Sequence, residues 1–168
     1  MTLLNWQRAI SNLQTALPIA HCLLNLYPTF LKLTYQVTAC NKTIMIRAIF
    51  LVGIGGAIGS ICRYLTSIFI SRHYPSVFPF ATFTANILGC LIIGILLGYF
   101  ERHQPVNPDL KFLLITGFCG GYTTFSTFSS ENLALLHAGN YQTAFTYILF
   151  SLLTGILSVW AGIMITKI

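Results

Sequence analysis

The chain has 168 residues, of which 55% are hydrophobic and 7% are charged, and its mean hydropathy is +0.76. A soluble domain carries about 25% charged residues, so this composition excludes a water-soluble protein and predicts one compact domain in a membrane. The formal net charge of +6 comes from Lys and Arg residues scattered between apolar segments. This scatter excludes a nucleic-acid-binding face and is typical of loop charges that orient membrane helices.

Residues 1–44 differ from the rest of the chain. Polar residues are interspersed among apolar ones, and Pro18 and Pro28 interrupt any long helix. A membrane span needs about 20 mostly apolar residues, which this segment does not offer. We interpret residues 1–44 as an over-extended start or a disordered or interfacial tail, with an additional interfacial helix as the alternative. Residues 45–168 then form the membrane domain.

The first membrane helix is predicted over about 46–70. Gly53, Gly56 and Gly59 recur every three residues, and such small residues let membrane helices approach closely. Arg63 lies late in this helix, where a charge is usually functional or paired. It either snorkels to the interface or supplies a vestibule charge that attracts anions.

The second helix is predicted over about 80–100, with Thr82, Thr84 and Asn86 near its start. An Asn inside a membrane helix needs a partner. For Asn86 we expect either a hydrogen bond between helices or an amide that faces a pore.

The third helix, about 111–136, contains the most unusual stretch of the chain, Gly117 to Ser130. Three glycines are followed by six hydroxyl side chains, with Phe125 and Phe128 interleaved. Non-helical backbone at membrane depth is tolerated only where protein buries it or water lines it. The stretch therefore predicts a helix broken near its middle that forms an ion or substrate site. A hydroxyl-rich seam between helices is the alternative.

The fourth helix is predicted over about 141–165. Tyr147, Ser151, Thr154 and Ser158 are spaced four, three and four residues apart, which places them on one face. Such a stripe is either a packing seam or the wall of a polar path.

Other classes of protein fit poorly. The cysteines show no CxxC spacing, and the acids and histidines form no catalytic constellation, so we expect no enzyme. A small proton-coupled multidrug exporter needs a membrane-embedded carboxylate, but only Glu131, late in the third helix, approaches this role. A non-transporting membrane assembly subunit is a further alternative.

Three stretches, in order along the chain, resemble the CrcB/Fluc fluoride channel family. They are Gly55–Tyr64, Thr82–Gly89 and the run Gly-Gly-Tyr-Thr-Thr-Phe-Ser-Thr-Phe that ends at Phe128. The resemblance extends from Met45 to the C-terminus. It implies a dimeric, all-α integral membrane protein of four transmembrane helices, in which fluoride leaves the cytoplasm down its electrochemical gradient.

The resemblance also implies roles for individual residues. Phe125 and Phe128 would line the fluoride path, and their i, i+3 spacing puts them on one side of the helix, where ring edges can meet an anion. Asn86 would point into this path. A structural sodium ion would be held by backbone carbonyls at Gly120 and Thr123. The remaining polar track would comprise Thr82, Tyr147 and Ser151, with Gly155 where the family often has serine.

The family's antiparallel dimer conflicts with the charge pattern. With the N-terminus inside, four basic residues are cytoplasmic and Arg72 faces outward, so the positive-inside rule predicts one orientation. An antiparallel homodimer requires almost no such bias. The partner is therefore either a second copy or an oppositely oriented homologue in the cell membrane. The four cytoplasmic residues are Arg47, Arg102, Lys111 and Lys167.

Overall fold

The computed structural model describes residues 42–103 and 107–167, and every regular element in these ranges is helical. Helix α1 spans Lys42–His73, α2 spans Phe80–Arg102, and a further long helix spans Tyr141–Lys167. All three are long and apolar enough to cross a membrane. The prediction of an all-helical, multi-pass membrane protein is confirmed in this part of the chain.

The chain divides after Met45, and the second unit, which begins at Ile46, is compact. Residues 1–41 lie outside the described residues, so the interpretation of 1–44 as a tail, an over-extended start or an interfacial helix stays a prediction. The second unit carries the features discussed below.

The third predicted helix is divided. Its first part, α3, joins three consecutive segments, Pro108–Lys111, Phe112–Cys119 and Gly120–Tyr122, of which the middle one is π-helical. Helix α4 spans Phe125–His137, and Tyr141–Lys167 is α5. Between α3 and α4 the backbone is extended at Thr123 (φ −86°, ψ 155°) and Thr124 (φ −147°, ψ 118°). The π-helical stretch was not expected from the sequence.

Glycines bring α1 and α3 into backbone contact. A Cβ atom on Gly55 would collide with the carbonyl oxygen of Leu113, and one on Gly59 with that of Phe118. Gly53 is different, because a Cβ atom there would meet no atom within 4 Å. The expected close packing is therefore carried by the Gly55–Gly59 pair, and Gly53 takes no part in it.

The protein-facing core near the α4–α5 turn is small, and the outer surface is strongly apolar. Leu135, Ala144 and Tyr147 form a buried cluster. Large apolar side chains on α1 and α5 remain exposed, among them Phe50 and Phe145, each 68% exposed. Such a surface requires lipid or a second subunit to cover it.

Candidate functional site

The candidate site is built around the break between α3 and α4. The side chain of Thr124 accepts a hydrogen bond from the backbone N–H of Thr127 (3.2 Å) and so caps the start of α4. Thr123 turns back toward α3, since its N–H and its hydroxyl both donate to the carbonyl of Cys119. The break is thus fixed by hydroxyl side chains on both of its sides.

Asn86 of α2 faces this break. Its Oδ1 accepts from the N–H of Thr124 (2.8 Å), and its Nδ2 donates to the carbonyl of the same residue (3.2 Å). One amide therefore satisfies both polar groups of an extended residue at membrane depth. This is the hydrogen bond between helices that the sequence left open, and the role of Asn86 in a path stays a prediction.

Glu131, in the middle of α4, binds side chains of two other helices, which was not expected from the sequence. Thr82 Oγ1 donates to Glu131 Oε1 (2.7 Å), and the Tyr147 hydroxyl donates to Glu131 Oε2 (2.9 Å). Each carboxylate oxygen thus has one neutral donor, from α2 or from α5. The hydroxyls of Thr82 and Tyr147, predicted to belong to one polar track, do converge, but on Glu131.

The two phenylalanines of the motif lie on the first turn of α4. Phe125 is 80% exposed, and its ring centroid lies 6.0 Å from that of Phe128. Phe128 also makes an edge contact with Tyr147, at 4.9 Å between centroids and 61° between planes. The rings therefore lead from the open side of the break toward Glu131 and the hydroxyls of Thr82 and Tyr147, which together form the Glu131 cluster.

Ser151 lies one turn beyond Tyr147 on α5. Its Oγ atom is buried, and no hydrogen-bond partner is found for it among the described residues. A buried hydroxyl without a partner costs about 1–3 kcal/mol, and it is a free donor. Beyond it, Gly155 has no side chain and the Thr154 hydroxyl bonds the carbonyl of Phe150 (2.5 Å) on its own helix. The Thr154 hydroxyl is therefore already paired within α5.

The carbonyls expected to bind sodium are available at the break. Within residues 42–103 and 107–167, no hydrogen bond is formed to the carbonyl oxygens of Gly120 and Thr123. Gly120 also has open space where a side chain would be. Oxygen ligands suit a hard cation, so the residues fit the ion in chemical type.

Comparison with known proteins decides the family. The family model described as CrcB-like protein, Camphor Resistance (CrcB), matches residues 50–163. The chain belongs to the CrcB family. The matched range contains all three of the motifs that carried the resemblance.

Several curated relatives have the name "Fluoride-specific ion channel FluC". The protein of Flavobacterium psychrophilum is 49% identical over 121 residues, which are 72% of this chain and 98% of the relative. The protein of Azobacteroides pseudotrichonymphae is 47% identical over 123 residues, 73% of this chain and 98% of the relative. The protein of Azotobacter vinelandii is 47% identical over 124 residues, 74% of this chain and 100% of the relative.

Arg63 was predicted as a site residue of this CrcB chain, whereas Glu131 was not. Arg63 is half-buried on α1, and its role as a vestibule charge stays a prediction. From the sequence, Glu131 was considered only as the carboxylate that an exporter would need, and no role in an ion path was predicted for it. A signal was present, since Glu131 lies three residues after Phe128 in a helix otherwise without acids.

Proposed function

We propose that the chain is a fluoride-specific ion channel of the cell membrane, through which fluoride leaves the cytoplasm down its electrochemical gradient. The naming of its relatives as fluoride-specific ion channels supports this activity. The observation that carries the proposal is the break at Thr123–Thr124, from which the exposed ring of Phe125 leads through Phe128 to a cluster of hydroxyls. A channel needs a path lined with groups that bind the ion, whereas an enzyme would also need catalytic groups.

The lining suits a small anion that accepts hydrogen bonds strongly. Ring edges of Phe125 and Phe128 present positive electrostatic potential, and the Ser151 hydroxyl has no hydrogen-bond partner among the residues that the structure describes. The hydroxyls of Thr82 and Tyr147 would release the Glu131 carboxylate and donate to a passing fluoride ion. Once the ion has passed, they would donate to Glu131 again. Because the hydroxyls exchange one anionic acceptor, the carboxylate, for another, fluoride, the ion is bound strongly enough to enter and weakly enough to leave.

The subunit would cross the membrane four times, with α3 and α4 together forming the third crossing. Its exposed apolar faces would be covered by lipid and by a second subunit. The partner is either a second copy in antiparallel arrangement or an oppositely oriented homologue, and the basic bias of one end favours the homologue. If a C-terminal reporter tag were found equally often inside and outside the cell, the chain would insert in both orientations, and the pairing with a homologue would be excluded.

A structural sodium ion would bind through the carbonyl oxygens of Gly120 and Thr123. It would supply a fixed positive charge at the point where the helix is broken, beside two carbonyl oxygens that accept no hydrogen bond within the described part of the chain. These two residues would hold it through their main chain, so side-chain changes at Thr123 would leave the ligands intact.

The test is fluoride efflux from liposomes that contain the purified protein, with chloride as the competing anion. We expect selective fluoride efflux that Phe125→Ile or Phe128→Ile abolishes. Phe145→Ile is the matched control, because Phe145 is a large exposed aromatic side chain on α5 and belongs to none of the predicted path residues. Absence of efflux from the folded protein, both alone and co-expressed with a homologue, would exclude the channel and leave the assembly subunit. Efflux that requires a proton gradient would indicate the exporter.

A further inference from the structure

Phe78, in the loop between α1 and α2, contacts the buried tyrosine of the Glu131 cluster. We propose that Phe78 is a positioning residue that holds the Tyr147 hydroxyl in place beside the ion path. This inference deepens the proposed channel function and rests on it. Phe78 lies outside the break and outside the motifs. Its ring also contacts Phe80 and Phe83, and of its three ring neighbours only Tyr147 carries a predicted donor to the ion.

The loop fixes Phe78 by its own backbone. The N–H of Phe78 donates to the side chain of Ser76 (3.2 Å), and its carbonyl accepts from the N–H of Phe80 (2.8 Å). The latter bond closes an inverse γ-turn centred on Pro79, whose φ of −76° and ψ of 67° match that turn. Because the proline ring restricts φ, Phe78 has a defined position just before α2.

The ring of Phe78 then meets Tyr147 edge-on. Their centroids are 5.2 Å apart, and their planes are inclined by 73°. Phe128 makes a second edge contact with the same tyrosine ring, and Tyr147 is 0% exposed. Two rings from separate elements therefore restrict the rotation of the Tyr147 side chain.

This restriction determines where the hydroxyl lies. The Tyr147 hydroxyl donates to Glu131 Oε2, while Thr82 donates to Oε1. If Phe78 is lost, Tyr147 gains freedom to rotate and its hydroxyl leaves this position for part of the time. The donor would then be absent when an ion arrives, although every group of the cluster is still present.

The experiment measures fluoride efflux from liposomes for Phe78→Leu, Tyr147→Phe and the double variant. We expect Phe78→Leu to lower the efflux rate about three- to tenfold, the range expected for loss of one aromatic pair. Phe78→Tyr keeps the ring and should retain the wild-type rate. In the Tyr147→Phe background, Phe78→Leu should add less than a twofold effect, because no hydroxyl is left to position.

Phe80→Leu is the matched control. Phe80 lies two residues away and contacts Phe78 (4.7 Å between centroids), and its loss should leave efflux within about twofold. Wild-type efflux in Phe78→Leu, equal losses in both loop variants, or multiplicative losses in the double variant would each overturn the inference. If Phe78→Leu does not fold, Phe78→Met carries the same expectation. A wild-type protein without fluoride efflux, both alone and co-expressed with a homologue, would instead overturn the proposed function.

Discussion

Asn86 binds both the N–H and the carbonyl of Thr124, so that one side chain on α2 substitutes for the helical partners that the break removes. The two residues are 38 positions apart in sequence. Thr124 is buried, so the amide is its means of satisfying its backbone groups without water. The broken helix therefore depends on α2 as well as on its own glycines.

Asn86→Leu is expected to destabilise the folded protein. Leucine has a similar volume but leaves two backbone groups of Thr124 unpaired, at about 1–3 kcal/mol for each group. Thermal unfolding in detergent, followed by the loss of the monodisperse peak in size-exclusion chromatography, should show a midpoint lowered by several degrees. An unchanged midpoint would mean that the Thr124 groups find other partners.

The control for this change is the same substitution at Asn132. Asn132 is 7% exposed, its Nδ2 donates to the carbonyl of Phe128, and no partner of its Oδ1 is found in the part of the chain that the structure describes. Asn132→Leu removes an unpaired acceptor, so the midpoint should stay the same or rise.

Gly59→Ala should weaken the contact between α1 and α3. The added methyl would collide with the carbonyl oxygen of Phe118, and overpacking of this kind costs about 1–3 kcal/mol. The same unfolding measurement should give a lower midpoint. Gly53→Ala lies on the same helix in open space and should leave the midpoint equal or slightly raised, because alanine favours helix. Equal effects at both positions would contradict the packing assignment.

Gly155→Ser should extend the row of donors beyond Ser151. A Cβ atom at this position would lie 3.7 Å from the Cys90 sulfur, an ordinary contact, so the protein should fold normally. One added hydroxyl donor should raise fluoride efflux at low fluoride by about twofold or more. Gly155→Ala adds the Cβ atom without the hydroxyl and should keep the original efflux rate. Identical rates for the two variants would show that the path does not pass this position.

The sequence determined the class of protein and the places of its long helices. Predicted spans of about 46–70, 80–100 and 141–165 correspond to Lys42–His73, Phe80–Arg102 and Tyr141–Lys167. Composition and hydropathy suffice here because a bilayer requires long apolar segments with internally paired backbone. The glycine and hydroxyl run likewise located the break, since those residues favour non-helical backbone.

Only the tertiary structure decided which groups meet. Thr82 and Glu131 are 49 residues apart, and no local periodicity specifies that a threonine of α2 and a tyrosine of α5 bind the same carboxylate. The rotation and depth of each helix set these contacts, and both depend on packing between helices. For the same reason the sequence alone does not identify Thr124 as the partner of Asn86 or Tyr147 as the partner of Phe78. Both contacts exist only in the packed arrangement of the helices.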